Sequence, residues 1–326
     1  MRVFSKARER SSMVEGILCL WFNRYMLSPS SNSIKKAFSR LAFVGKYQAD
    51  GIQEHLNDLA KLVSGVGCEV FFETSTAEHL KLKGYPSKNV GDFAGAIDLA
   101  VVLGGDGTML GIGRQLAGSQ VPLVGINMGR LGYMTDIPIG DVHVVLPKII
   151  AGEYEADTRT LLDAVVLRKG KVINRALALN DVVVNRSGIS GMVELAVQVN
   201  GSFMYNQRSD GLIVSTPTGS TAYALSAGGP ILHPRVAGIL LAPIAPHSLS
   251  NRPIVLPQDA VTSIEVVEGR EVIVNFDMQS QTHLESGDKI EVRQSDKTIT
   301  LLHPRNHSDY KTLREKLHWN EYPSTF

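Results

Sequence analysis

The chain has 326 residues, enough for about two domains at roughly 150 residues each, and its 44% hydrophobic and 20% charged residues exclude disorder as the main state. Lys and Arg total 33 against 32 Asp and Glu, which leaves no electrostatic footprint of a dedicated nucleic-acid binder or a polybasic membrane-surface protein. Two cysteines, Cys19 and Cys68, are too few for a disulfide scaffold or a Cys-rich zinc site and suit a reducing cytoplasm.

Met1 to Arg10 is basic and Met13 to Leu27 fairly apolar, but Glu15, Asn23 and Arg24 interrupt the apolar stretch and no small-residue cleavage pattern follows. The stretch is also too short and too charged for a membrane span. Residues 1–33 therefore read as a poorly ordered extension, closed by the polar linker Ser28 to Ser33, or as an over-long start with Met26 as the candidate true start. Residues 34–155 read as an α/β domain. Leu41 to Val44 is a short buried strand, and Asp50 to Val66 carries Ile52, Leu56, Leu59 and Val63 on one helical face. Glu69 to Phe72, Ile97 to Leu103 and Val121 to Ile126 are further strands, and Met109 to Leu116 is helical. Strands alternating with helices predict a mostly parallel sheet covered on both faces.

A joint falls near Ala151 to Thr158, and residues 156–303 read as β-rich. Leu161 to Leu167 and Ala178 to Val184 are strand candidates, and Val193 to Val199 alternates up to the hairpin signal Asn200-Gly201. Lys289 to Val292 and Thr298 to Leu302 alternate around a polar turn at Gln294 to Lys297. Residues 304–326 hold a terminal helix and tail, with Tyr310, Leu313 and Leu317 as a core-facing stripe.

Two motifs carry chemistry. Gly104-Gly105-Asp106-Gly107-Thr108 follows a buried strand and precedes a helix, the place where open α/β sheets bind ligands. Its glycines permit a tight turn and close approach, and helix-start amides can face phosphate oxygens. A carboxylate beside phosphates needs a task, such as holding Mg²⁺ or accepting a proton from an attacking hydroxyl; a turn with Asp106 merely capping the helix would look the same. The second motif, DGLIVSTPTGSTAYALSAGGP, runs from Asp210 to Pro230. Its strand feeds a loop of small hydroxyls and glycines that offers many donors and acceptors with little bulk, and Tyr223 is either a flat face for a base or a buried tyrosine. Asn180-Asp181 interrupts a strand-like run, and its two polar groups suit either a ribose diol or, as the first reading, a turn, while Arg208 and Asp210 read as a simple ion pair. No P-loop, G-x-S-x-G elbow or metal-binding histidine spacing occurs.

Together GGDGT, Asn180-Asp181 and the Asp210 to Pro230 run resemble the bacterial NAD kinase family, with further agreement in GINMGRLGYMTDI at Gly125 to Ile137, PHSLSNRP at Pro246 to Pro253 and the Asp277-Met278-Gln279 segment. GGDGT alone is shared with diacylglycerol and sphingosine kinases. The resemblance covers Leu41 to the C-terminus and implies an α/β domain with a parallel sheet, a β-rich second domain and a terminal helix packed back on the first. It implies an ATP-dependent kinase that phosphorylates the 2′-hydroxyl of the adenosine ribose of NAD to give NADP, with a divalent metal, Mg²⁺, carried by ATP. Asp106 matches the proton acceptor, and Gly104, Gly105, Gly107 and Thr108 count with it at the nucleotide. Asn180 and Asp181 match an Asn-Glu pair that contacts NAD, the acid here one methylene shorter. Arg208 and Asp210 match binding positions, Arg208 in the manner of ATP-using members. Thr221, Ala222, Tyr223, Ala224, Leu225 and Ser226 match the segment lining the NAD site, and Gln279 a further contact. The resemblance further implies a cytoplasmic homodimer or homotetramer with no nucleic-acid or membrane partner and no metal held by the chain itself. A lipid kinase sharing GGDGT and a non-catalytic NAD-binding regulator are the two other readings.

Overall fold

A computed structural model describes residues 36–46, 51–188 and 191–319; the amino-terminal extension, with Met26, lies outside them. The first half runs β1 (Arg40–Gly45), α1 (Ile52–Gly65), β2 (Glu69–Glu73), α2 (Thr74–His79), β3 (Ser87–Lys88), β4 (Leu99–Leu103), α3 (Asp106–Leu116), β5 (Leu123–Asn127), β6 (Ile137–Pro138) and α4 (Val142–Ile150). Strands β7 (Tyr154–Arg168), β8 (Lys171–Ala178), β9 (Asp181–Arg186), β10 (Val193–Val199), β11 (Ser202–Ser209) and β12 (Gly211–Ser215) follow, then the short α5 (Tyr223–Ser226). The chain continues through β13 (Gly238–Ile244), β14 (Ile254–Pro257), β15 (Thr262–Glu268), β16 (Val272–Phe276), β17 (Ser280–Leu284), β18 (Lys289–Pro304) and α6 (Asp309–Leu317).

Strands β3, β2, β1, β4 and β5 lie side by side and parallel. Their apolar runs are near-continuous because both faces are covered. Leu41 and Phe43 of β1, with Leu99, Val101 and Leu103 of β4, pack beneath α1 and α4. The intervening Ala42, Val44, Ala100 and Val102 face the opposite way, towards Met109, Leu110, Ile112 and Leu116 of α3. The period-2 alternation of a strand thus feeds two helical layers. From β1 the chain proceeds to β2 and β3 on one side, while β4 and β5 lie on the other. The sheet order therefore reverses between β1 and β4, and ligands bind open α/β sheets outside the carboxyl ends of strands at such a reversal.

The parallel sheet does not end at β5. β18 pairs with it in parallel at Leu301 and Leu123, and on its other side joins antiparallel β15, β10 and β11, so one twelve-stranded mixed sheet runs through both halves. A second, antiparallel sheet, in the order β14-β13-β12-β9-β16-β17, packs Val182, Val184, Leu212, Val214, Val274 and Phe276 into a shared core with β7, β10, β15 and β18. The Asn200-Gly201 hairpin forms with both φ values positive, at 51° and 76°, as its sequence predicts.

Two expectations differ. The polar stretch Gln294 to Lys297 is no turn: β18 is continuous, pairs along β7, and takes the extra residues as a bulge between Gln294↔Leu162 and Thr298↔Thr160. The Tyr310, Leu313 and Leu317 stripe does not enter a core; Thr312 is the buried residue of α6, and Tyr310 is 57% exposed. Tyr310 and Leu313 instead line a cavity of about 200 Å³ with Ile231, Leu232 and Pro217.

Candidate functional site

The Gly104 to Thr108 turn leaves the carboxyl end of β4, and Asp106 is the first residue of α3, capped by extended Gly105. Among the glycines of the turn Gly104 is the crowded one: a Cβ there would stand 2.7 Å from Thr108 Oγ1, whereas Gly105 and Gly107 have room for one. Two cavities flank the turn. One, of about 500 Å³, opens at the strand-order reversal and is lined by Gly45, Lys46, Ser75, Gly105, Gly107 and Thr108. The other, of about 740 Å³, is lined by Gly105, Asp106, Arg130, Gly132, Lys316 and His318.

Asp106 is fixed from two sides. Its Oδ2 accepts the backbone N–H of Tyr133 at 2.9 Å and the ammonium of Lys316 at 2.6 Å, and its Oδ1 accepts the N–H of Met134 at 2.9 Å and the hydroxyl of Thr135 at 3.4 Å. Burial pushes this carboxyl up, but Lys316 and the two amides outweigh it and hold Asp106 below the usual carboxylate range. It is therefore an oriented anion at neutral pH. Gly132 makes the arrangement possible, since a Cβ there would collide with Asp106 Oδ1 and Thr135 Oγ1.

The second cluster forms where β8 ends at Ala178 and β9 begins at Asp181. In the intervening bend, Leu179, Asn180 and Asp181 donate their backbone N–H groups to the Asp277 carboxylate, at 2.9, 2.7 and 3.1 Å. Asp277 sits with Met278 in a turn where both have positive φ, 52° and 54°, a geometry Asp tolerates better than most residues. Arg114 of α3 donates to Asp277 at 3.0 Å and to Gln279 Oε1 at 2.6 Å, and Gln279 Nε2 donates to the Gly107 carbonyl at 2.6 Å. Gln279 thus joins the GGDGT turn to the Asn180-Asp181 bend. Burial, and then the neighbouring Asp277, push the Asp181 carboxyl up to about 7. Its Oδ1 is buried without a hydrogen-bond partner.

The Asp210 to Pro230 run closes over the same bend. Thr216 N–H and the Ser215 hydroxyl donate to the Asn180 carbonyl, and the Thr216 hydroxyl donates to Leu179 O at 2.6 Å. Gly219 has to be glycine, because a Cβ would strike the Asn180 carbonyl. Beyond it, Thr221 lines the cavity of about 200 Å³ with Tyr133 and Arg159. Ala224 is buried, Tyr223 packs partly against the small core of Val183, Ile213 and Leu240, and Ala222, Leu225 and Ser226 retain partial or full exposure.

Arg208 and Asp210 are not gathered here, nor do they pair with each other. Arg208 lies on the edge strand β11, 4.0 Å from Glu194, and Asp210 pairs with Arg186 at 3.1 Å. Side chains that sequence reasoning missed are Arg114, Asp277 as an amide acceptor, and Lys316. Arg114 stands two turns after Asp106 on one helix and was open to a periodicity argument; Lys316, 210 residues from Asp106, carried no local signal.

Histidine spacing gave no hint of a further cluster. His303 and His307 stack at 4.0 Å, and their Nδ1 atoms lie 2.9 and 2.8 Å from Asp136 Oδ2. The three donor atoms lie within 4.8 Å of one another, the spread of a metal site, but both nitrogens converge on one carboxylate oxygen as hydrogen-bond donors do. Burial opposes both charges. Even so, Asp136 and Asp309 raise His307 to about 9, and His303 and His307 hold Asp136 down at about 2. The raised histidine contributes stability that is complete below about 6.5 and lost as pH rises through about 9; the Asp136 contribution is lost only as pH falls from about 4 towards 2. Hydrogen exchange in α6, corrected for the intrinsic rate, is therefore expected to accelerate between pH 6.5 and 9. Equal protection across that window would contradict the clamp.

A Gly-rich turn at the strand-order reversal of a parallel sheet, bordered by two cavities and with an anionic Asp lining one of them, is a nucleotide-handling arrangement of the open α/β class. Comparison with known proteins narrows the class. The ATP-NAD kinase N-terminal domain family matches residues 41–154 and the ATP-NAD kinase C-terminal domain family residues 179–303. NAD kinase of Ralstonia nicotianae is 61% identical over 88% of this chain and 95% of its own, and that of Cupriavidus pinatubonensis 60% identical over 92% and 98%. The fold superposes on yeast NADH kinase complexed with NADH (TM-score 0.82, 25% identity, 90% of this chain and 91% of the other). It also superposes on an NAD kinase from Archaeoglobus fulgidus in complex with ATP (TM-score 0.69, 26% identity, 86% and 98%). The chain belongs to the NAD kinase family. No described helix is long and apolar enough to cross a membrane.

Proposed function

We propose that the chain transfers the γ-phosphoryl group of ATP to the 2′-hydroxyl of the adenosine ribose of NAD, giving NADP and ADP. The observation that carries this is the Asp106 carboxylate, anionic and tethered in the wall of one cavity, whose lining Gly105 also borders the second cavity at the same turn. Two substrates have to meet at one group, and phosphoryl transfer asks the protein mainly for alignment and charge neutralisation. The 2′-oxygen forms the new P–O bond, the bond to the β-phosphate oxygen breaks, and the hydroxyl proton passes to Asp106 Oδ. A carboxylate held below its usual range is a weak base, so the proton moves late and placement of the oxygen matters more than basicity. A divalent cation, Mg²⁺, enters with ATP as part of the substrate.

In this reading Gly104, Gly105, Gly107 and Thr108 approach the nucleotide with backbone and hydroxyl. Asn180 and Asp181 contact NAD, the unpartnered buried Oδ1 of Asp181 being the atom that takes a ligand hydroxyl. Thr221 to Ser226 line the same site, and Gln279 contacts the ligand from the turn that already touches Gly107. Arg208 and Asp210 belong to the binding set through the family pattern alone. Assembly as a homodimer or homotetramer in the cytoplasm is part of the same reading, supported by the exposed apolar Val172, Ile173, Met192 and Phe203 of the β-rich half; light scattering that gives a monomer mass would remove it. The phosphoryl donor is tested by parallel reactions with ATP and with polyphosphate. ATP-supported NADP formation with none from polyphosphate is expected, and the reverse would overturn the assignment of the donor.

A further inference from the structure

We infer that Lys316, close to the end of the chain, is a positioning residue for phosphoryl transfer: its ammonium fixes the orientation of the Asp106 carboxylate at the cavity the two share. The inference rests on Asp106 being the proton acceptor. Lys316 Nζ lies 2.6 Å from Asp106 Oδ2 and 4.3 Å from the centre of the Tyr133 ring, whose backbone N–H binds that same oxygen. Met134 N–H and the Thr135 hydroxyl take the other oxygen. With both oxygens engaged from opposite sides, rotation of the carboxylate breaks a charge-assisted bond, and such bonds are about twice as strong as neutral ones.

The fold over-determines where Lys316 stands. Ser308 caps α6, its hydroxyl accepting the Lys311 N–H, and Asp309 at the first turn faces His307 and Arg159. Just before the helix, His303 and His307 grip Asp136, the residue that follows Thr135. The loop that supplies the amides to Asp106 and the helix that supplies the ammonium are therefore bolted together at one point. Without that bolt, a terminal helix with one buried residue would have little to hold it.

The charged and titratable groups facing Asp106 are Lys316 from α6 and Tyr133 from the loop after β5, with Arg130, Glu315 and His318 lining the same cavity. The test is steady-state kinetics across pH on the full-length protein, wild type first. Lys316→Met is expected to lower kcat by about 10–100-fold, the cost of a catalytic group set loose. It should change KM for NAD and ATP by less than about threefold and move the acid limb of the kcat profile to higher pH, because the cation that held Asp106 down is gone. Lys316→Arg restores most of the rate, and Lys311→Met, on the same helix outside the cavity, leaves rate and limb unchanged. If Lys316→Met melts early, Lys316→Gln replaces it in the same measurement. No NADP from wild type would defeat the kinase reading itself. An active wild type with an unaltered Lys316→Met, or a loss of rate with the acid limb unmoved, overturns the positioning role alone.

Discussion

Asp106→Asn is expected to cut kcat for NADP formation by about 10²–10⁴-fold, the usual contribution of a positioned general base, while leaving NAD binding close to wild type. The substitution keeps the shape of the side chain but removes the anion. One of its two polar atoms becomes an NH₂ donor, which opposes either the Tyr133 amide together with Lys316 or the Met134 amide together with the Thr135 hydroxyl. The fold has other supports at this point, so the loss should fall on turnover. Rate assays paired with calorimetric titration of NAD separate the two effects. Turnover near wild type would take Asp106 out of the proton-accepting role, and a loss of NAD binding equal to the loss of rate would make it a binding residue.

Asp277→Ala is the change expected to cost most in stability, about 3–5 kcal/mol, the range for breaking a buried pair by deleting one partner. Its side chain has no solvent exposure and accepts from Leu179, Asn180, Asp181 and Arg114 at once. Removing it strands three amides in a bend where no ladder partner can replace it. Alanine also fits poorly at φ 52°. Asp277→Asn, which keeps an acceptor oxygen and tolerates that φ, should lose markedly less. Urea unfolding measures both. A loss below about 1 kcal/mol for the alanine variant, the level of an exposed ion pair, would mean the bend is not held this way.

These two residues show what the sequence could and could not convey. Asp106 was legible because its neighbours are glycines after an apolar strand, and the fold places it where that grammar says, at the first residue of α3. The parallel sheet was legible because Leu41 to Val44 and Leu99 to Leu103 are apolar at every position, which only a sheet covered on both faces requires. Interruption of the run at Asn180-Asp181 was also visible. Its cause was not, since the acceptor that replaces the ladder lies 96 to 98 residues away at Asp277. Gln294 to Lys297 misled for a related reason: polar residues between two alternating runs suit a turn or a bulge equally, and only the partner strand β7 decides. Lys316 was not legible at all, because on its own helix it is one cation among several.

The most direct test of the account is NADP formation by the purified full-length protein from NAD, ATP and Mg²⁺, read with a dehydrogenase that accepts NADP and not NAD. The account predicts product that accumulates in step with ADP, one for one. Measurable NAD binding with no NADP formed would contradict it, and would leave a nucleotide-binding regulator in place of the kinase.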